Sequence, residues 1–193
     1  VVGSKNNGTT AYTVDPMQTD GVNQLEETYY QNMRWTQQWG YFDKVPDLKS
    51  AILMKAIWNV GKGYTADPRT LAILDHISGC GIDTFDDVLF NMEVTKRIGG
   101  DSYCEIITDS DTGLLLNLKP LDPSTIRIVI NPKGIITRYE QMSKTGEKKA
   151  EIKFNPEQIL HFSNNRIADQ VHGISDIDSM EKTILASEQN FDD

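Results

Sequence analysis

Between Gly99 and Phe162, apolar and polar positions alternate in short runs separated by turn residues. On either side, apolar positions recur every three or four residues. The first pattern predicts strands and the second predicts helices. Within the strand region, Tyr103, Glu105 and Ile107 alternate with Cys104, Ile106 and Thr108, and Asp109 to Gly113 reads as a turn. Leu114 to Leu118 is a second strand, which Pro120-Leu-Asp-Pro123 is expected to break. Ile126, Ile128 and Ile130 mark a third strand, closed by the turn sequence Asn131-Pro-Lys-Gly134. Ile135 to Met142 and Lys149 to Phe154 read as a hairpin around Lys144-Thr-Gly146. Asn155-Pro-Glu-Gln158 is a helical turn before a last strand at Ile159 to Phe162.

The helical period begins at Gly21, with Val22, Leu25, Tyr29 and Met33 on one face. Pro46 opens a second helix with a stripe of Leu53, Ala56, Ile57 and Val60, ended by Gly61 and Gly63. Asp67-Pro68 caps and starts a short helix through Leu71, Leu74 and Ile77. Thr84 is the N-cap of the best-signalled helix. Asp86 and Asp87 sit in its first turn, Lys96 and Arg97 in its last, and Phe85, Val88, Leu89 and Met92 on one face. A final helix is expected from Ser175, with Asp178 completing a capping box and Ile177, Met180, Ile184 and Phe191 facing inward.

These elements predict an α+β fold: several helices packed with a small, mainly antiparallel sheet of short strands, ending in a long helix. Residues 1–20, rich in Gly, Asn, Thr and Ser, are expected to form a flexible arm. Residues 20–98 read as helical, 99–163 as β-rich, and 174–193 as the start of the closing helix. The chain ends on Asp192-Asp193 with no cap, so the helix is expected to continue in a longer protein. The polar start without Met points the same way. No run of about 18 apolar residues predicts a membrane span, and no secretory signal is expected.

The aromatic side chains Tyr29, Tyr30, Trp35, Trp39, Tyr41 and Phe42 crowd one segment. One helix cannot cover all of them. They are read either as core or, for Tyr30, Trp35, Trp39, Tyr41 and Phe42, as a surface between subunits. The net charge of −9, from 19 basic and 28 acidic residues, argues against a protein that grips phosphate backbones. Lys144, Lys148 and Lys149 form a small basic turn near Arg138, readable as a solvated hairpin tip or as a weak DNA-facing patch. Cys80 and Cys104 lack metal or redox spacing and read as buried free thiols.

The ordered fragments G-D-S-Y-C-E-I (Gly100–Ile106), L-K-P-L-D-P (Leu118–Pro123), G-I-I-T-R-Y (Gly134–Tyr139), F-N-P-E-Q-I-L-H-F (Phe154–Phe162) and H-G-I-S-D-I (His172–Ile177) resemble the portal proteins of tailed bacteriophages and related viruses. The resemblance covers about residues 45–193. It implies the wing of a ring-forming structural protein, typically a dodecamer, at one capsid vertex of the virion, assembled in the host cytoplasm. Double-stranded DNA would pass through its channel during packaging and ejection. Implied partners are other copies of itself, the major capsid protein, the terminase motor and a head–tail adaptor. The last helix would lead toward the portal stem. The clip, most of the stem and the crown have no counterpart here.

No cofactor is expected, and no catalytic motif is present: no G-x-S-x-G, no H-E-x-x-H and no Walker loop. Asp109-x-Asp111-x-Gly113 shares part of a calcium loop's spacing but lacks the twelfth-position ligand, and reads as a turn. A metal-dependent enzyme using His161, His172 and Asp169 is the remote alternative. A hydrogen-bonded core or interface role for His161 is the plainer reading, and His172 would shape its loop. Another virion or tail adaptor, or an interaction module without catalysis, is the remaining alternative.

Overall fold

The structure, a computed structural model, describes residues 26–144 and 150–184. It is α+β. Its helices are α1 (Trp35–Lys44), α2 (Pro46–Val60), α3 (Pro68–Leu74) and α4 (Phe85–Gly99). The strands are β1 (Thr28–Gln31), β2 (Asp101–Thr108), β3 (Leu115–Leu121), β4 (Ile126–Ile130), β5 (Ile136–Met142), β6 (Ala150–Phe154) and β7 (Ile159–Ser163). They form two antiparallel sheets, not one: β1-β4-β5-β6 and β3-β2-β7. The chain leaves the second sheet after β3, builds the first, and returns at β7 beside β2. Two 3-10 turns of similar composition, Pro123–Thr125 and Pro156–Gln158, precede β4 and β7. In the first, the Asp122 carboxylate accepts from Ser124 N at 3.0 Å. In the second, Gln158 Oε1 accepts from Asn155 N at 2.8 Å.

The β3-β2-β7 sheet is the middle layer, and period-two alternation sends its side chains both ways. Tyr103, Leu121 and Ile159 meet Ile126, Ile128, Ile130, Tyr139 and Phe154 of the other sheet. Cys104 and Leu118 face Val88 and Met92 of α4, with Ile77 beside them. Phe42, Leu48, Ile52, Ile98, Ile177 and Ile184 make the third cluster, between α1, α2 and the end of α4.

Caps fall where the residue types place them. Thr84 Oγ1 accepts from Asp87 N (3.2 Å) while the Asp87 carboxylate accepts from Thr84 N (2.9 Å). Asp67 caps α3, accepting from Arg69 N and Thr70 N.

The C-terminus of α4 is closed by tertiary contacts. An α-helix ends with four carbonyls lacking helical donors. Here Lys96 O accepts from Gly100 N (2.8 Å), Arg97 O from Asp176 N (3.0 Å), Ile98 O from Ser175 Oγ (2.5 Å) and Gly99 O from Asn32 Nδ2 (2.9 Å). One residue on, Gly100 O accepts from Asn164 N at 2.8 Å. The 173–176 segment therefore lies directly along the junction of α4 and β2. A Cβ on Gly173 would stand 2.0 Å from Gly100 O. Gly100 itself has φ +89°, which disfavours other residues.

Several expectations are corrected. Residues 28–31 are a strand, because pairing with β4 (Tyr30 opposite Ile128) overrides the helical spacing of Val22 to Met33; Val22 and Leu25 lie outside the described residues. The stripe of α2 that is buried is Leu48, Ile52 and Ala56, while Ile57 is exposed. β3 runs through Pro120 to Leu121, which an edge strand permits. From Ser175 the chain runs through turns to 180 and is helical at 181–184. Asp178 does not close a capping box with Ser175. It accepts from Gln38 Nε2 (3.0 Å) and pairs with Arg34 (3.1 Å), tying this segment to α1. Met180 faces outward, and Phe191 lies outside the described residues.

Candidate assembly surface

The five aromatics singled out from the sequence divide in the structure. Phe42 is 5% exposed within the third core cluster, with only an edge of its ring lining a neighbouring cleft. Trp35 and Tyr41 are half-buried against the same cluster. Trp35 lies on the end of α4, where a Cβ on Gly99 would come within 2.7 Å of its ring. Tyr30, on β1, stacks on His172 with ring centroids 3.7 Å apart. Trp39 is 49% exposed and continues a tilted row, 6.2 Å from Trp35 and 5.6 Å from Phe42.

Trp39 stands between two clefts. One, of about 430 Å³, runs between α1, α2 and α4 and is lined by Phe42, Leu53, Phe90 and Val94, with Asp43, Lys49 and Asp87 among its polar residues. The other, of about 400 Å³, lies between α1, α4 and the end of β3, lined by Trp35, Pro120 and Pro123. Asn91 and Thr95 border both. Periodicity could not reveal these clefts, because each needs three elements to form its walls. A second exposed group, Met54, Ile57 and Trp58, lies on the outer side of α2, with Trp58 78% exposed.

The basic turn is represented by Lys144, exposed and paired with Asp122 at 2.7 Å. Burial raises the Asp122 carboxyl pKa, but hydrogen bonds from Lys144 and Ser124 outweigh it and leave the group below its ordinary range. Lys148 and Lys149 lie outside the described residues. Nearby Arg138 is engaged, reaching both Glu27 oxygens at 3.1 Å and Glu140 at 2.8 Å.

His161, Ser163 and Asp101 come together, but not as a relay. Both Asp101 Oδ1 (2.7 Å) and Ser163 Oγ (3.2 Å) meet the same ring nitrogen, Nε2, while Tyr139 OH lies 3.2 Å from Nδ1. In a nucleophile–base–acid relay the serine and the acid use opposite nitrogens. Asp101 is 1% exposed, and its two oxygens accept from Gly173 N at 2.9 and 3.0 Å. Tyr103 stacks on the imidazole at 4.7 Å, and burial pushes the Tyr139 phenol up to about 12. The cluster joins β2, β5, β7 and the 173 loop. His172 lies instead against Tyr30, and Asp169 is exposed. Among the described residues no three His, Cys, Asp or Glu side chains are grouped to hold a metal ion, and no helix is long and apolar enough to cross a membrane.

No protein family's sequence profile matches the chain, and no curated protein matches it in sequence. Solved structures do share its fold. A chain of the virion of a native gene transfer agent particle matches with TM-score 0.66 at 15% identity, over 90% of this chain and 48% of that one. A chain from the neck of the native particle, computed with C12 symmetry, matches with TM-score 0.57 at 14% identity, over 82% and 42%. A chain from the neck of the empty particle, computed with C6 symmetry, matches with TM-score 0.61 at 15% identity, over 83% and 46%. This chain thus spans about half the length of each, and at such identities the likeness is one of fold.

Proposed function

We propose that this chain is a structural subunit region of a phage-like particle, the wing of a portal-type ring through which double-stranded DNA enters and leaves. The observation that carries the reading is the fold it shares, over 90% of its length, with a chain of the gene transfer agent virion. The five portal-like fragments support it further. Three of them, in β2, β7 and the 172–177 segment, interlock at the end of α4. Cyclic symmetry in the related necks supports a homo-oligomeric ring. A net charge of −9 suits a wall that DNA passes without adhering. In this reading the protein is not an enzyme. Its partners are neighbouring copies, the major capsid protein, the terminase motor and a head–tail adaptor, and it sits at the capsid vertex.

A neck adaptor is the second reading, favoured by the two neck structures. The full-length protein, purified and sized by native mass spectrometry and electron microscopy, is expected to form closed rings of about twelve subunits. A strictly monomeric full-length protein would overturn both readings. Particles isolated before DNA entry separate them: a ring through which DNA is packaged must already stand at the vertex, so absence of the protein there would favour the adaptor reading.

A further inference from the structure

A cyclic ring needs two different, mutually complementary faces on each subunit. The two exposed apolar features described above meet that need. On α2, Trp58 follows Leu53 by five positions and Lys49 by nine, which places it about 140° and 180° round the helix from them. Leu53 and Lys49 line the 430 Å³ cleft beside Trp39, so ridge and cleft lie on opposite flanks of the same helix. The cleft is within the size range of sites that enclose a small aromatic group. Charge agrees with the pairing. The C-terminal half of α2 and its following turn carry Lys55 and Lys62 beside Trp58 and no acid, although Asp47 stands at the far end. Lys55 is partly compensated by Asp176, at 3.1 Å. The cleft bears Asp43 and Asp87 with a single lysine, Lys49, which pairs with Asp43 at 3.2 Å and leaves the cleft one net negative charge.

We propose that the Met54–Trp58 ridge of α2 docks into the Trp39 cleft of a neighbouring copy of this chain, so that α2 is flanked by an intersubunit contact on both sides. The inference rests on the ring reading and adds to it the surfaces that close the ring. Trp58 is the anchor, since a buried tryptophan at the centre of a contact carries a large share of its energy. Lys62 would approach the Asp87 carboxylate, since Asp43 is held by Lys49.

The test uses full-length protein in a Cys80→Ser background, which removes a competing exposed thiol. Ile57→Cys and Asn91→Cys, which leave the Trp58 anchor in place, are introduced together and treated with a short bis-maleimide. The expected result is a ladder of covalent oligomers on a denaturing gel. Mixed single-cysteine variants should stop at the dimer. Separately, Trp58→Ala is expected to raise the concentration needed for ring assembly about tenfold, while Ile82→Ala, still more exposed but away from the ridge, leaves it unchanged. Intact rings with no interchain product overturn the contact while leaving the ring reading standing. Product confined within one chain also overturns the contact. Absence of rings from the unmodified protein overturns both.

Discussion

Cys80 and Cys104 read alike in the sequence, as two free thiols without partners, yet they have opposite environments. Cys104 points from β2 toward α4, is fully buried, and burial pushes its thiol up to about 12. Cys80 lies in the turn after α3 and is exposed, which corrects the expectation that both are buried. The thiolate is the reactive form. A maleimide at neutral pH is therefore expected to label Cys80 within minutes and Cys104 only on unfolding, as read by intact mass with and without denaturant. Comparable labelling of both in the native protein would contradict the placement of β2. His161 shows the same limit of single-residue reading. Its buried, hydrogen-bonded character was legible from the apolar neighbours Leu160 and Phe162. Its partner Asp101 was not, since 60 positions separate them and only the β2–β7 register brings Asp101 opposite Ser163.

Elements were legible where local chemistry marked their ends. The Thr84 N-cap, the Asp67-Pro68 start and the Pro46 start all stand where the residue types put them. The end of α4 depends on a distant segment as well. Gly173 is not held by its dihedral angles but by space, because Gly100 O and Asn164 N crowd the position a Cβ would take. Gly173→Ala is expected to destabilise the protein by about 2–4 kcal/mol through forced separation of the α4–β2 junction. Gly113→Ala, at a positive φ in open space, should cost only about 1 kcal/mol. Urea unfolding of the two variants compares them directly, and equal losses would contradict the close approach at Gly173.

At the scale of the whole molecule, buried charge couples the helical layer to the 164–176 loop. Glu93, nearly buried on α4, accepts from Asn59 (2.7 Å), Lys96 (2.6 Å) and Arg97 (3.0 Å), and Arg97 also reaches Asp176 at 3.5 Å. Burial raises the Glu93 pKa, but the three donors outweigh it and the net shift is downward. A carboxyl lowered on folding stabilises the fold fully above its unfolded value, roughly pH 4.3. That stabilisation is lost as pH falls through the folded value. Glu93→Gln is therefore expected to lower stability near pH 7 by about 1–3 kcal/mol and to make the acid unfolding limb shallower. Denaturant melts between pH 3 and 7 measure both effects, and an unchanged acid slope would remove Glu93 from the network. Ring size and the α2 contact belong to this scale too, and the experiments above decide them.

Alternation, helical spacing and turn chemistry determined the α+β class and most element positions, because each depends on residues within a few positions of one another. Tertiary structure alone decided that the strands divide into two sheets, that Tyr30 sits on a strand, and that α4 is capped by residues 173–176. It also decided that Phe42 faces inward while Trp58 faces out. Each of these is settled by which distant surfaces meet, and local spacing carries no record of which of two compatible faces another part of the chain will cover.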